Sequence, residues 1–90
     1  MRQWRNILPN GAINEGIIWA LPQPTTERPH GYKYRLNYSM PDGTFVRYDN
    51  KTGKTDHKHL MGKIEPYKFI DLDQLEEDFK TDILRIGGIL

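Results

Sequence analysis

The sequence predicts an α+β fold: a curved antiparallel sheet of three to five strands, packed by one amphipathic helix at its C-terminal end. Residues 30–40 alternate between aromatic or apolar side chains and polar ones, which is the period of a half-buried strand. Residues 72–86 carry apolar side chains at spacings of three and four, which is the period of a helix with one buried face. A sheet and a helix that each bury one face are expected to pack together.

Length and composition bound the domain organisation. We expect residues 1–90 to form one domain with a small core, with residues 1–15 as a short strand or a loose arm and residues 87–90 as a tail. The chain has no cysteine, which excludes disulfides and thiolate metal sites. No apolar run approaches the length of about 20 residues that spans a membrane. The first residues lack a signal-peptide pattern, and the lack of cysteine suits a cytoplasmic protein.

Charge is distributed unevenly, although the net charge is only +1. Residues 28–63 carry eight Lys or Arg against three Asp or Glu, whereas residues 64–90 carry three against seven. A basic middle favours a polyanionic or acidic partner. The alternative interpretation is that the two halves complement each other's charge in the fold.

The first half of the chain predicts two strands separated by a loop. Leu8–Gly11 has the composition of a turn, and Gly16–Leu21 is rich in β-formers and precedes a proline. Pro22–Pro29 is predicted to be a loop because its three prolines remove backbone donors. His30–Met40 is the clearest strand, and Met40–Gly43 is predicted to be the tight turn that ends it.

The middle of the chain predicts the return strand and a polar region. Thr44–Asn50 is the expected antiparallel partner, and Asn50–Gly53 is predicted to be a second turn. Lys54–His59 is polar throughout and is compatible with an edge strand or a loop. Ile64–Ile70 is predicted to be a further strand, in which Pro66 favours an edge position or a late start.

The helix has clear start and stop signals. Asp71 is a good N-cap, and Gln74 three residues later completes a capping-box pattern. Gly87 and Gly88 are expected to stop the helix. The apolar stripe between these signals consists of Leu72, Leu75, Phe79, Ile83 and Ile86.

Two histidines form the sharpest candidate site. His57 and His59 point the same way if the segment is extended, which leaves Lys58 opposed. Histidine titrates near neutral pH, so the pair could supply the acid and the base that cleave RNA through its 2′-hydroxyl without a metal. Candidate phosphate contacts are Lys54, Lys58, Arg35 and Arg47.

Two other interpretations of the histidine pair stay open. The H-x-H spacing also suits a metal site, which Asp49, Asp56 or Glu65 could complete. The third interpretation is a solvated edge with two structural histidines. We assign no cofactor and no metal from the sequence.

Cations on the predicted sheet could extend the site. Lys33, Arg35 and Arg47 lie on adjacent strands, and on one solvent face they would form a basic patch beside the histidines. With tyrosines nearby, such a patch suits single-stranded RNA. The alternative is an ordinary polar sheet face.

Four segments together resemble the TumE-type toxin family. They are HGYKYRLNY (His30–Tyr38), RYDNKTGKTDHKH (Arg47–His59), EPYKF (Glu65–Phe69) and the pattern L-x-x-L-x-x-D-F-x-x-D-I (Leu72–Ile83). The resemblance covers residues 16–84. The sequence has Thr55 where the family commonly has glycine, and Lys58 where it commonly has arginine. The second departure keeps the charge but loses bidentate phosphate geometry.

The resemblance implies a toxin that is held inactive by a helix-turn-helix antitoxin. It carries over the motif residues Asp49, Asn50, Gly53, Lys54, Asp56, His57, His59, Glu65 and Tyr67. By analogy with small toxins that act on messenger RNA, often on the ribosome, we expect RNA as the target, with His57, His59, Asp56 and Glu65 as catalytic candidates. The alternatives are a metal-dependent nuclease or phosphotransferase, and a non-catalytic binder. A homodimer is compatible with the sequence.

Overall fold

The computed structural model describes residues 1–50 and 55–90, and this part of the chain forms six strands followed by one helix. The strands make one antiparallel sheet in which each strand pairs with the next along the chain. The predicted α+β fold with a C-terminal helix is confirmed, but the sheet has six strands rather than three to five. The elements are β1 Arg2–Ile7, β2 Ile13–Ala20, β3 Tyr32–Ser39, β4 Phe45–Asp49, β5 His57–Leu60, β6 Lys63–Pro66 and α1 Leu72–Arg85.

The strands that the sequence left open, or predicted with other bounds, lie at the two edges of the sheet. Residues 1–15 were predicted to contain a short strand or to form a loose arm. Residues 2–7 form β1, so the short strand is the correct alternative for this segment. β5 and β6 form a polar hairpin at the other edge, joined by Met61 and Gly62, which both have positive φ as in the tight turns of hairpins. The strand predicted at Ile64–Ile70 is instead Lys63–Pro66. It is an edge strand, so the amide hydrogen that Pro66 lacks is not needed to pair with a further strand.

The core lies between α1 and the aromatic face of β3. Tyr34, Leu36 and Tyr38 are at most 1% exposed, which shows that the alternation in this strand marks the helix side. Val46 and Tyr48 bring the same face of β4 into the core. The buried hydrophobic residues of the core are Ala12, Ile18, Tyr34, Leu36, Tyr38, Val46, Tyr48, Leu60, Leu75, Phe79 and Ile83.

The predicted helix signals are confirmed with one exception. The Asp71 carboxylate accepts a hydrogen bond from the Gln74 amide at 2.7 Å, as an N-cap does. The Gln74 side chain does not complete a capping box, because its Nε2 donates to Asp78 Oδ1 at 2.8 Å. Gly87 has a φ of 84°, and the Gly88 amide donates to the Ile83 carbonyl at 2.9 Å, which closes the helix.

Buried polar contacts fix the helix on the sheet. Asp82 is 2% exposed and accepts hydrogen bonds from the Tyr48 hydroxyl and from Lys58 Nζ, the latter at 3.1 Å. Asp78 accepts from the Tyr67 hydroxyl at 2.6 Å. Burial raises the pKa of the Tyr48 hydroxyl above its usual range, and the hydrogen bond to Asp82 raises it further. These tyrosines therefore stay protonated and act as donors to the helix.

Candidate functional site

The face of the sheet that points away from α1 is here named the open face. Within residues 1–50 and 55–90 no helix covers it. Along β2 to β5, the side chains of this face alternate with those of the core. The strand registers show which of them lie side by side. They are Glu15, Ile17, Trp19, Lys33, Arg35, Asn37, Phe45, Arg47, Asp49, His57 and His59.

Strand register brings the two histidines beside two of the predicted cations. His57 on β5 lies directly opposite Asp49 on β4, and Arg35 on β3 lies opposite Asp49 on its other side. His59 lies opposite Arg47 in the next row. Residues opposite each other in antiparallel strands have Cβ atoms only about 5 Å apart. The site is therefore formed by three neighbouring strands of a continuous ladder.

Asp49, His57 and His59 form what we name the histidine–aspartate cluster. One ligand atom from each residue can be chosen so that all three lie within 4.8 Å of one another. His57 Nε2 lies 2.8 Å from Asp49 Oδ1, and His57 Nδ1 lies 3.0 Å from the Thr55 carbonyl oxygen. The two imidazole rings have centroids 5.4 Å apart. This arrangement can transfer protons or hold a transition-metal ion.

The Asp49 carboxylate is unusual in its surroundings. Asp49 is 4% exposed, yet its Oδ1 has no hydrogen-bond partner among the described residues. The 2.8 Å contact with His57 has the distance of an ion pair but not the alignment of a hydrogen bond. Buried polar atoms are nearly always paired, so an unpaired carboxylate oxygen here suggests a functional role.

Two cations of the open face lie close to aromatic rings, in cation–π contacts. The Arg47 guanidinium lies 5.1 Å from the centroid of the Phe45 ring, and its Nε donates to Asn37 Oδ1 at 3.2 Å. Lys33 Nζ lies 5.3 Å from the centroid of the Trp19 ring. Trp19 and Phe45 were not among the site residues predicted from the sequence. In β2 the apolar residues Ile17, Ile18 and Trp19 are consecutive, so the sequence carries no alternation that assigns Trp19 to a face.

A shallow groove continues from Arg35 towards β1. Its volume is about 250 Å³, and its open-face lining includes Arg5, Glu15, Ile17, Arg35 and Asn37. The groove adjoins the histidine–aspartate cluster but does not contain it. The cluster and the groove together make an elongated polar surface, which suits an extended ligand better than a compact one.

Two predicted site residues lie on the helix side of the sheet. Lys58 alternates with His57 and His59 and forms its ion pair with Asp82 against α1. Glu65 lies opposite Lys58 on β6 and is exposed at the edge of the sheet. Lys54 lies outside the described residues. The structure therefore brings His57 and His59 together with Arg35 and Arg47, but not with Lys58 or Glu65. Lys33 lies on the same face, in the row beyond Arg35 and opposite Trp19.

Asp56 also lies on the helix side, in a separate polar contact. Its carboxylate accepts a hydrogen bond from the Tyr34 hydroxyl at 2.6 Å and lies 2.9 Å from His30 Nε2. The His30 ring stacks on Phe69 with centroids 3.9 Å apart. His30 Nδ1 accepts from the Tyr32 amide, which leaves Nε2 as the donor to Asp56. These contacts join β3 to the segment before α1.

Asn50 holds the end of β4, next to Asp49. Its side chain is fully buried, accepts from the Tyr34 amide at 2.9 Å and donates to the Tyr32 carbonyl at 2.8 Å. Its carbonyl accepts from Arg28 Nε at 2.8 Å. The side-chain amide thus continues the β3–β4 ladder where the strand ends. This explains a structural need for the Asp-Asn pair in the motif.

Comparison with known proteins identifies a family for nearly the whole chain. A family model described as Toxin TumE matches residues 6–86. The UDP-galactopyranose mutase of Mycoplasma genitalium is 30% identical over 56 residues, which cover 62% of this chain but 13% of the mutase. No solved structure matches the chain.

The family match agrees with the resemblance drawn from the four sequence segments. It extends over every strand except the start of β1, and over the whole of α1. Within the described residues no helix is long and apolar enough to cross a membrane. The chain therefore belongs to the TumE toxin family.

Proposed function

We propose that this toxin binds RNA on the open face and cleaves it at the histidine–aspartate cluster. The observation that carries the proposal is the convergence of His57, His59 and Asp49 with Arg35 and Arg47 on the open face, which no helix covers within the described residues. Phosphodiester cleavage needs groups that move protons or polarise the phosphate, and cations that stabilise developing charge. These five side chains supply that set within two rows of the sheet.

The open face also carries features that suit a single-stranded nucleic acid. Arg35, Arg47 and Lys33 offer positive charge along β3 and β4, and Trp19 and Phe45 offer rings at two ends of the surface. Proteins that bind single strands combine cations for the backbone with aromatic rings for the bases. RNA also offers the 2′-hydroxyl, which serves as an internal nucleophile when a base removes its proton.

The antitoxin is expected to act on the same surface. A helix-turn-helix antitoxin that presents carboxylates to Arg35 and Arg47 would block access of RNA to the cluster. This location explains how a partner without catalytic groups of its own could hold the toxin inactive. We further propose that the toxin acts in the cytoplasm, where RNA and ribosomes are accessible.

Cleavage of RNA by antitoxin-free protein tests the proposal. We expect the wild-type toxin to fragment a single-stranded RNA, and to leave intact the same sequence with 2′-O-methyl groups, because the internal nucleophile is then blocked. Arg35→Glu combined with Arg47→Glu should abolish RNA binding at low salt, since two cations become anions. Lys63→Glu combined with Lys68→Glu, which reverses two exposed charges on and just after β6, serves as a charge-matched control that keeps cleavage.

The assay should measure fragments by gel electrophoresis, with folding checked by circular dichroism. Intact RNA after incubation with folded, antitoxin-free toxin would overturn the proposal. Equal cleavage by the Arg35/Arg47 double variant would also overturn the assignment of the open face.

A further inference from the structure

We propose that Asp49, His57 and His59 bind one divalent transition-metal ion, of which Zn²⁺ is the representative. This inference deepens the proposed function, because it assigns a cofactor to the same cluster, but the binding itself does not depend on RNA cleavage. The three residues offer two imidazole nitrogens and one carboxylate oxygen. This is the donor set of open zinc sites, in which three protein ligands leave a position for water or substrate.

The distances within the cluster are close to those of an assembled site. The three ligand atoms lie within 4.8 Å of one another. Ligands held about 2.0–2.1 Å from a tetrahedral ion lie about 3.4 Å apart. All three residues lie on two paired strands, which hold their backbones side by side.

The unpaired oxygen of Asp49 is an independent observation that indicates a cation. Oδ1 is buried without a hydrogen-bond partner among the described residues, and Asp49 is 4% exposed. Its 2.8 Å contact with His57 Nε2 has the distance of an ion pair without the alignment of a hydrogen bond. A metal ion bound to Oδ1 and to the imidazoles would replace this contact.

The hydrogen bonding of His57 points in the same direction. Its Nδ1 lies 3.0 Å from the Thr55 carbonyl oxygen, which can only accept, so Nδ1 carries the proton. The other ring nitrogen, Nε2, lies 2.8 Å from Asp49 Oδ1. A backbone carbonyl on one ring nitrogen and a metal on the other is the usual arrangement of a metal-bound histidine.

The donor set also predicts selectivity. Imidazole nitrogen suits zinc and its transition-metal neighbours, whereas Mg²⁺ and Ca²⁺ prefer sites made of oxygen. Arg35 lies opposite Asp49 on β3, so a phosphate bound at the open position of the ion would also be next to a guanidinium. The metal and the arginine would then hold the same anionic group from two sides.

Metal titration of the purified full chain tests the inference. The protein is first treated with EDTA and dialysed, and Zn²⁺ and Mg²⁺ are then titrated separately by calorimetry. We expect one Zn²⁺ per chain and no saturable binding of Mg²⁺. Co²⁺ should give the intense visible absorption of a tetrahedral site. Asp49→Asn and His59→Ala should each weaken Zn²⁺ binding by roughly 100-fold or more, because each removes one of three ligands.

His30→Ala is the matched control, because it removes a histidine from the helix side of the sheet and should leave Zn²⁺ binding unchanged. If Asp49→Asn does not fold, His59→Gln gives the same test at a residue that is less buried than Asp49. Absence of Zn²⁺ binding to folded wild-type protein, or equal binding by the His59 variants, would overturn the inference.

The metal inference and the proposed function fail separately. RNA cleavage that persists in excess EDTA, together with no Zn²⁺ binding, would remove the metal and keep the ribonuclease. Zn²⁺ binding through the cluster without RNA cleavage would keep the metal site and remove the ribonuclease.

Discussion

Replacing His57 or His59 with alanine is expected to abolish toxicity in cells that lack the antitoxin. Both rings lie on the open face and belong to the cluster that we assign to the reaction. Loss of a group that transfers protons or binds a catalytic metal lowers the rate about 100-fold or more. We expect this loss in the rate of RNA cleavage, and colony counts should return to the level of an empty vector.

His30→Ala separates a catalytic effect from a folding effect. His30 contacts Asp56 and Phe69 on the helix side, so its loss should lower thermal stability but leave the cleavage rate of the folded protein unchanged. His57→Ala should show the reverse pattern. Full toxicity of folded His57→Ala and His59→Ala proteins would contradict the assignment of the open face as the active surface.

Asp82→Ala is expected to destabilise the fold by about 3 kcal/mol, the largest stability effect that we predict. The Asp82 side chain is 3% exposed and accepts hydrogen bonds from Lys58 and from the Tyr48 hydroxyl. Its removal leaves a poorly solvated ammonium without this acceptor, and the Tyr48 hydroxyl keeps only its longer hydrogen bond, of 3.2 Å, to the Asp78 carbonyl. Chemical denaturation of the wild type and the variant measures the difference in the free energy of unfolding.

Glu77→Ala is the control on the same helix. Its side chain is 69% exposed and lies 3.9 Å from Lys80, a surface pair that contributes little. Its loss should change the free energy of unfolding by less than about 0.5 kcal/mol. A similar effect of the two substitutions would mean that Lys58 and Asp82 do not fasten the helix to the sheet. Lys58 would then again be a candidate for phosphate binding.

The parts of the fold with strong periodicity were predictable from the sequence. The alternation from Tyr32 to Tyr38 identified β3 and its buried face, and the stripe from Leu72 to Ile86 identified α1. The edge strands were harder to predict. β5 and β6 are four residues each and carry few apolar side chains, so their stability depends on the pairing with β4 rather than on a pattern of their own.

The composition of the candidate site was only partly predictable. Alternation along β5 shows that Asp56 and Lys58 oppose His57 and His59, and the structure places them on the helix side. The position of Asp49 beside His57 depends on the register of β4 and β5. The connection between these strands sets that register, and the sequence does not reveal it.

The histidine rings offer the most direct test of the claim that RNA binds the open face. Two of the three rings, His57 and His59, lie on that face, and His30 lies on the helix side. Under the proposed function, a 2′-O-methyl RNA should bind without being cleaved. The ring signals of all three residues can be followed by heteronuclear NMR while this RNA is added to antitoxin-free toxin.

We predict that the His57 and His59 ring signals shift in a saturable manner and that the His30 signal stays in place. The shifts should weaken as salt is raised, because we propose that Arg35 and Arg47 contact phosphate. Saturable shifts of the His30 ring, with His57 and His59 unchanged, would place RNA on the helix side and contradict the account.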